Sequence, residues 1–310
     1  MKRFKNILYV ADRPSTASPT LERALELAQA NRAQLTVLDV IEPAVWSADN
    51  QARFGTDLTT ILRDRRLEEL HELTAAHAGR GVALPVRVEV GTPFLEVIRA
   101  VLRDGFDLVI KSAEQPHGFF QRPFGANDQH LIRKCPCPVW IDRPERARPY
   151  RKILAAVDPV GDAGAQLDRL VLDLATSFVA WEGSEVHVAH AWWLPGENQL
   201  RTARVQLPPG RIAELLQGQR ETHARALQAL LADYGMTLDA PQVHFAKGSP
   251  AALIAEVAAG LPADLIVLGS VGRTDVPGFF IGNTAESVIQ STTAPVLTVK
   301  PAGFRSPVVA

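Results

Sequence analysis

The sequence has few cysteines, few aromatic residues and no excess charge of either sign. Two of its 310 residues are cysteine and 6% are aromatic, which excludes a disulfide-rich secreted fold. The 33 Lys and Arg residues nearly balance the 34 Asp and Glu residues, so the formal net charge of −1 provides no electrostatic footprint for nucleic acid or an anionic membrane. No run reaches the roughly 20 apolar residues of a membrane span, and the apolar run before Asp12 is too short for a signal peptide. We therefore expect a cytoplasmic protein with no nucleic-acid or membrane partner.

The two cysteines, Cys135 and Cys137, are separated by a single proline. We expect their side chains to point apart and to make a poor disulfide, and a zinc site would need two further ligands nearby. Structural or incidental thiols are the favoured interpretation. Redox sensing and metal binding stay open as alternatives.

An internal repeat organises the chain. An apolar strand that ends in an aspartate occurs at residues 6–12 and returns at 152–158. Further matches keep a constant separation of 157 residues, which is hard to obtain by chance. They pair Gly91 with Gly248, Asp107-Leu108-Val109-Ile110 with Asp264-Leu265-Ile266-Val267, Gly125 with Gly282, Ile132 with Ile289, and Pro138-Val139 with Pro295-Val296.

Each repeat alternates strands with helices, which predicts an α/β fold with a parallel sheet covered on both faces. We assign one domain to residues 1–143 and a second to 151–301, with the polar, proline-containing segment 142–149 as the linker. The expected architecture is two tandem open five-stranded parallel sheets. Their last strands, at 139–141 and 296–299, are predicted to pair as an intramolecular pseudo-dimer, because unpaired apolar edges invite association.

Three features of the second repeat are predicted to meet at the carboxyl ends of the parallel strands, where such sheets bind ligands. Asp158 ends the first strand, Gly269 to Thr274 follow the fourth, and Gly282-Asn283-Thr284 opens a helix. Glycines allow the backbone to approach a phosphate, and helix N-terminal amides favour an anion. The spacing Gly-x-x-Gly-x9-Gly predicts a nucleotide or other anion site, although a purely structural loop is the alternative.

These residues carry a family resemblance. The second half resembles a universal stress protein domain, whose nucleotide-binding members have this glycine motif followed by Ser or Thr. Nearly the whole chain resembles a tandem, E-type member, with the fold shared by adenine nucleotide alpha hydrolases. The segments that carry the resemblance to the E type are Asp107-Leu108-Val109-Ile110-Lys111, Leu131-Ile132-Arg133-Lys134-Cys135-Pro136, Pro138-Val139-Trp140, Gly272-Arg273-Thr274 and Gly282-Asn283-Thr284-Ala285-Glu286.

The resemblance implies ATP as the ligand of the second domain only. It carries over Asp158 as the adenine contact, Gly269, Gly272 and Gly282 as nucleotide contacts, and Arg273 as a phosphate neighbour. Asn283 stands where phosphate-binding members have Ser or Thr, but Thr284 is adjacent and an Asn amide can also donate.

The first half departs further from the motif. Ser112 and Gln115 replace the two glycines, and Ala126 follows Gly125. Asp12 remains, as a loop or helix-capping residue in the plainer interpretation. We expect the first half to have lost nucleotide binding.

No catalytic residue, metal site or Walker sequence is predicted. His187 and His190 are expected on opposite faces of one strand, so a shared metal is disfavoured. The leading hypothesis is a non-catalytic stress-response or signalling factor, with an unknown protein partner and, by resemblance, homodimer formation. A slow ATPase or phosphotransfer protein is one alternative. A carrier of an amphipathic molecule is another, motivated by Trp192 and Trp193.

Overall fold

The computed structural model describes residues 3–11, 18–43, 58–114, 123–146, 148–160, 165–201, 207–270 and 282–309. The first half contains β1 (Asn6–Val10), α1 (Pro19–Asn31), β2 (Gln34–Ile41), α2 (Leu58–Ala75), β3 (Val86–Val90), α3 (Pro93–Asp104), β4 (Leu108–Ser112), α4 (Ala126–Lys134) and β5 (Val139–Asp142). The second contains β6 (Lys152–Ala156), α5 (Ala165–Glu182), β7 (Glu185–Trp192), α6 (Glu197–Leu200), α7 (Pro209–Ala232), β8 (Val243–Lys247), α8 (Pro250–Gly260), β9 (Leu265–Gly269), α9 (Asn283–Ser291) and β10 (Val296–Val299). Within these residues, no helix is both long and apolar enough to cross a bilayer.

The strands form one ten-stranded sheet in the order β3-β2-β1-β4-β5-β10-β9-β6-β7-β8. Every pair within a half is parallel, and the two halves join through the antiparallel pair β5–β10, where Trp140 lies opposite Leu297. The predicted pairing of the last strands is therefore confirmed. The two predicted five-stranded parallel sheets are also confirmed, and this pairing joins them into a single mixed sheet.

The repeat in the sequence is also a repeat in the structure. β3, β4 and α4 recur as β8, β9 and α9 with the same 157-residue separation of their first residues. Capping residues mark the ends of several helices. Ser18 Oγ accepts a hydrogen bond from Leu21 N at 3.2 Å and Pro19 opens α1, whereas α3 ends at Gly105 in the left-handed region (φ 67°).

Helices cover both faces of the sheet, which gives two apolar layers. One layer includes the fully buried Leu21, Leu25 and Ala28 of α1, as their helical spacing predicted, and also the apolar faces of α5 and α7. The other layer packs α3, α4, α8 and α9 against the opposite face. Because helices cover both faces of the sheet, we expect ligands to bind at the carboxyl ends of the strands.

The junction of the halves contains a buried ion pair. Arg23 of α1 lies 3.0 Å from Glu182 Oε1 of α5, and its guanidinium stacks 3.6 Å from the centre of the Tyr150 ring. Asp142, expected at the start of the linker, is instead the buried last residue of β5, where Thr20 Oγ1 donates to it at 2.8 Å. The segment between the halves is thus anchored to both.

Candidate functional site

The second-half site is built at the carboxyl ends of β6 and β9. These strands are neighbours in parallel register, with Ala156 opposite Leu268, so Asp158 and Gly269 emerge at the same edge. Gly282 N donates to Ser270 O at 3.1 Å, which holds the start of α9 beside the end of β9. The fold therefore places these predicted residues at one edge of the sheet. Gly272 and Arg273 lie outside the described residues.

Gly269 has a packing reason to be glycine. A Cβ atom at this position would lie 2.6 Å from Leu167 Cδ2 and 3.2 Å from Leu167 Cγ, on the first turn of α5. Contacts this short require a neighbouring group to move. Gly269 is therefore needed for the approach of α5, whether or not a ligand lies above it.

Gly282 is the N-cap residue of α9, with φ −60° and ψ 134°. This is ordinary extended backbone that any residue adopts, so the turn does not require a glycine. Asn283, the first residue of α9, is exposed, and Thr284 is half-buried beside it. Both side chains stand at a helix N-terminus, where backbone amides favour an anion.

The equivalent helix N-terminus in the first half is occupied by the protein's own carboxylates. Glu114 Oε2 accepts from Asn127 N at 3.2 Å, and Asp128 Oδ2 accepts from Gly125 N at 3.2 Å and from Glu114 N at 2.9 Å. Asp128 also pairs with the buried ammonium of Lys111. These carboxylates stand where a bound anion would accept hydrogen bonds from the helix.

Ser112 and Gln115 stand in the first half at the positions of the two motif glycines, and of these two only Ser112 lies within the described residues. Ser112 is buried and donates to Thr20 Oγ1 at 2.9 Å, so its hydroxyl is committed to the core. A Cβ on Gly125 would overlap Glu114, at 1.8 Å from Oε2. Asp12 and Gln115 lie outside the described residues.

A cavity of about 1870 Å³ opens above the first-half strands. Its walls combine the aromatic rings of Phe94 and Phe124 with basic side chains, including Arg66 and Arg143. Arg66 pairs with Asp39 at 2.5 Å, and the Arg143 guanidinium stacks 4.8 Å from the centre of the Phe124 ring. The volume exceeds the several hundred Å³ that a small-molecule ligand usually fills.

Two histidine pairs lie on opposite faces of β7, as predicted for His187 and His190. His190 Nε2 lies 2.9 Å from His223 Nδ1 of α7, with Asp158 close by. On the other face, His187 Nδ1 lies 3.2 Å from His244 Nε2 of β8. The first pair has no signal in the sequence, because His190 and His223 are 33 residues apart and only the packing of α7 brings them together.

The prediction that Cys135 and Cys137 point apart was wrong. Both thiols are buried and their sulfur atoms lie 3.5 Å apart. Residues two apart project to the same side of an extended chain, and here the chain bends at the intervening proline. Although burial disfavours a thiolate, the contact with Cys137 and the charge of Lys300 hold the pKa of Cys135 below its usual value.

Lys300 links this region to the second-half site. Its ammonium donates to Ser270 Oγ at 2.6 Å and to the carbonyl oxygens of Ile132 and Arg133 at 2.6 and 3.1 Å. Burial lowers the pKa of Lys300 to about 7. The residue after Gly269 is thus tied to the carboxyl end of α4 in the other half.

Comparisons with known proteins agree with this architecture. The universal stress protein family model matches residues 3–143 and again 149–300, so the chain belongs to the universal stress protein family and carries two of its domains. It is similar to universal stress protein E of Escherichia coli K12, at 30% identity over 99% of this chain and 98% of that protein.

Solved structures of the family share the fold over the whole chain. A putative universal stress protein from Pseudomonas aeruginosa UCBPP-PA14 superposes with a TM-score of 0.73 at 22% identity, covering 98% of this chain and 95% of that one. A universal stress protein from Archaeoglobus fulgidus DSM 4304 gives 0.63 at 19% identity, covering 96% and 99%. The chain is thus a tandem member of the family, similar in its whole length to the E type.

Proposed function

We propose that this protein is a non-catalytic stress-response or signalling factor whose second domain alone binds ATP or a related anionic ligand. Asp158 would meet the base, while Gly269, Gly272 and Gly282 would line the phosphates, with Arg273, Asn283 and Thr284 beside them. The family motif in the sequence supports these assignments. ATP binding in the second domain would alter its stability or its binding to a protein partner.

The observation that carries the proposal is the difference between the two helix N-termini. α4 has the carboxylates of Glu114 and Asp128 on its first amides. At the equivalent positions near α9, the sequence has Val271 and the buried Ala285, neither of which can accept a hydrogen bond through its side chain. The α9 amides therefore have no carboxylate from these two positions, which favours an external anion in the second half.

The test is a calorimetric titration of the full chain with ATP. We expect one ATP per chain, and weaker binding when Thr284→Val removes the hydroxyl beside the phosphate position. Asn127→Val, the equivalent position of the first half, is the matched control and should leave the affinity unchanged. Two sites per chain, or equal losses in both variants, would contradict the proposal.

The non-catalytic part of the proposal needs its own measurement. Within the described residues, we identify no side chain at the α9 N-terminus that would activate a water molecule for attack on a phosphate. We therefore expect the purified protein to release no phosphate from ATP above the rate in buffer. Steady release that is lost in a Thr284→Val variant would support the slow ATPase alternative instead.

The cavity of the first half favours a second candidate function, the carrier of an amphipathic molecule. Phe94 and Phe124 offer apolar surface, whereas the ion-paired side chains of Arg66 and Arg143 make the same walls partly polar. This relocates the carrier hypothesis from the second half, where Trp192 is buried and only Trp193 is substantially exposed. Native mass spectrometry of freshly purified protein would detect a retained molecule, and a ligand-free mass would count against this function.

A further inference from the structure

We propose that Asp158, His190 and His223 bind one divalent transition-metal ion, with zinc as the best fit. One carboxylate oxygen of Asp158 and one ring nitrogen of each histidine lie within 4.8 Å of one another. Two imidazoles and a carboxylate form a ligand set that zinc uses with a fourth, open position. The three residues come from the end of β6, from β7 and from α7, so the fold alone assembles them.

His190 is oriented as a metal ligand. Its Nδ1 lies 3.0 Å from the carbonyl oxygen of Val157, and because a carbonyl can only accept, Nδ1 carries the proton. In the neutral ring, Nε2 then has a lone pair, and this is the nitrogen that faces His223. A histidine that donates its other N–H to a backbone carbonyl is the usual arrangement around protein-bound metals.

The distances are close to those that a metal requires. Two nitrogens bound tetrahedrally to one zinc are about 3.3 Å apart. His190 Nε2 and His223 Nδ1 are 2.9 Å apart, so the rings need to separate by roughly half an ångström. His223 Nδ1 now donates its proton to His190 Nε2; on metal binding that proton would be carried by His223 Nε2 instead.

The surroundings bury the two rings and leave the carboxylate partly exposed to solvent. His190 and His223 are 2% and 8% exposed, and the ring of Phe245 stacks on His190 with a centroid distance of 5.9 Å. The Asp158 side chain is 47% exposed, while its backbone N–H donates to Asp168 Oδ1 at 3.0 Å. Asp158 Oδ1 lies 3.9 Å from His190 Nδ1, so binding at Nε2 requires the carboxylate to turn toward His223.

The second histidine pair provides a matched control within the same chain. His187 Nδ1 and His244 Nε2 are 3.2 Å apart, close to the 2.9 Å of the first pair, but among the described residues no carboxylate joins them within the 4.8 Å that groups Asp158 with His190 and His223. Three donor atoms therefore do not converge on one point. A metal that only needs two adjacent imidazoles would bind at both pairs, whereas the proposed ion would bind at one.

The site shares Asp158 with the proposed nucleotide site but does not depend on it. The experiment is a calorimetric titration of the tag-free, chelator-treated full chain with zinc chloride, without nucleotide, together with elemental analysis of the dialysed protein. Its failure would leave the ATP proposal standing, and failure of ATP to bind would leave the metal site standing.

We expect one zinc per chain, at least tenfold weaker binding in Asp158→Asn and in His223→Gln, and unchanged binding in His187→Gln. Thermal melts would show whether each variant folds, and if His223→Gln does not, the partly exposed Asp158→Asn decides. No stoichiometric binding at micromolar zinc, or an equal loss in His187→Gln, would overturn the proposal. Unchanged binding in Asp158→Asn would also overturn it.

Discussion

Replacing Gly269 by alanine should destabilise the fold through one identifiable contact. The new Cβ would lie 2.6 Å from Leu167 Cδ2 and 3.2 Å from Leu167 Cγ. Forcing a methyl group into a packed site costs about 1–3 kcal/mol. In a domain of this size each kcal/mol lowers Tm by about 2–4 °C. Denaturant unfolding and thermal melts of Gly269→Ala should therefore both show a clear loss.

The contact with Leu167 can be tested by removing both partners. Leu167→Ala deletes the atoms that the new methyl group meets, so it should relieve the strain of Gly269→Ala while causing a loss of its own. The double variant should then be more stable than the sum of the two losses predicts, by about 0.5–3 kcal/mol. Additive losses would refute the packing argument. So would a Gly269→Ala variant that melts normally and binds ATP more weakly, because the glycine would then serve the ligand alone.

Three further predictions concern the second-half loop, a buried lysine and the thiols. Gly282→Val should lower ATP affinity in calorimetry by about tenfold or more while costing less than about 1 kcal/mol of stability, because φ −60° accommodates a side chain; a large stability loss with unchanged affinity would count against it. Folding lowers the pKa of Lys300 from 10.5 to about 7. Between pH 7 and 10.5, Lys300 therefore keeps its proton in the unfolded chain and loses it in the folded chain. Unfolding free energy should therefore rise with pH from 7 to 10, and Lys300→Met should remove that slope; equal slopes in both proteins would contradict this. Burial of Cys135 and Cys137 predicts that a bulky thiol reagent labels neither in the native protein and both in denaturant, and rapid native labelling would be inconsistent with the structure.

The architecture could be predicted because it repeats. The buried strands β4 and β9 begin with the apolar runs 108–110 and 265–268, and their constant separation aligns the two halves. The pairing of β5 with β10 followed from a physical argument about exposed edges. Local patterns were sufficient at this level because each strand and helix carries its own periodicity.

The chemistry of the two sites could not be predicted in the same way. Glu114 fills the helix N-terminus of the first half through a loop contact that no periodicity encodes. His223 reaches His190 only because α7 packs on β7. The cysteine prediction failed for a different reason: residues two apart project to the same side of an extended chain, so the spacing of Cys135 and Cys137 itself favours their contact. Contacts between distant elements depend on the packed fold.

Hydrogen exchange of the full chain with and without ATP tests the central claim, that only the second domain binds the nucleotide. Mass spectrometry of proteolytic fragments reports the protection of backbone amides at both helix N-termini in one sample. ATP should slow exchange in fragments that contain Gly282 to Ala285 and leave fragments that contain Gly125 to Asp128 unchanged. Protection at the first-half helix, or no protection at either helix with millimolar ATP, would contradict the account.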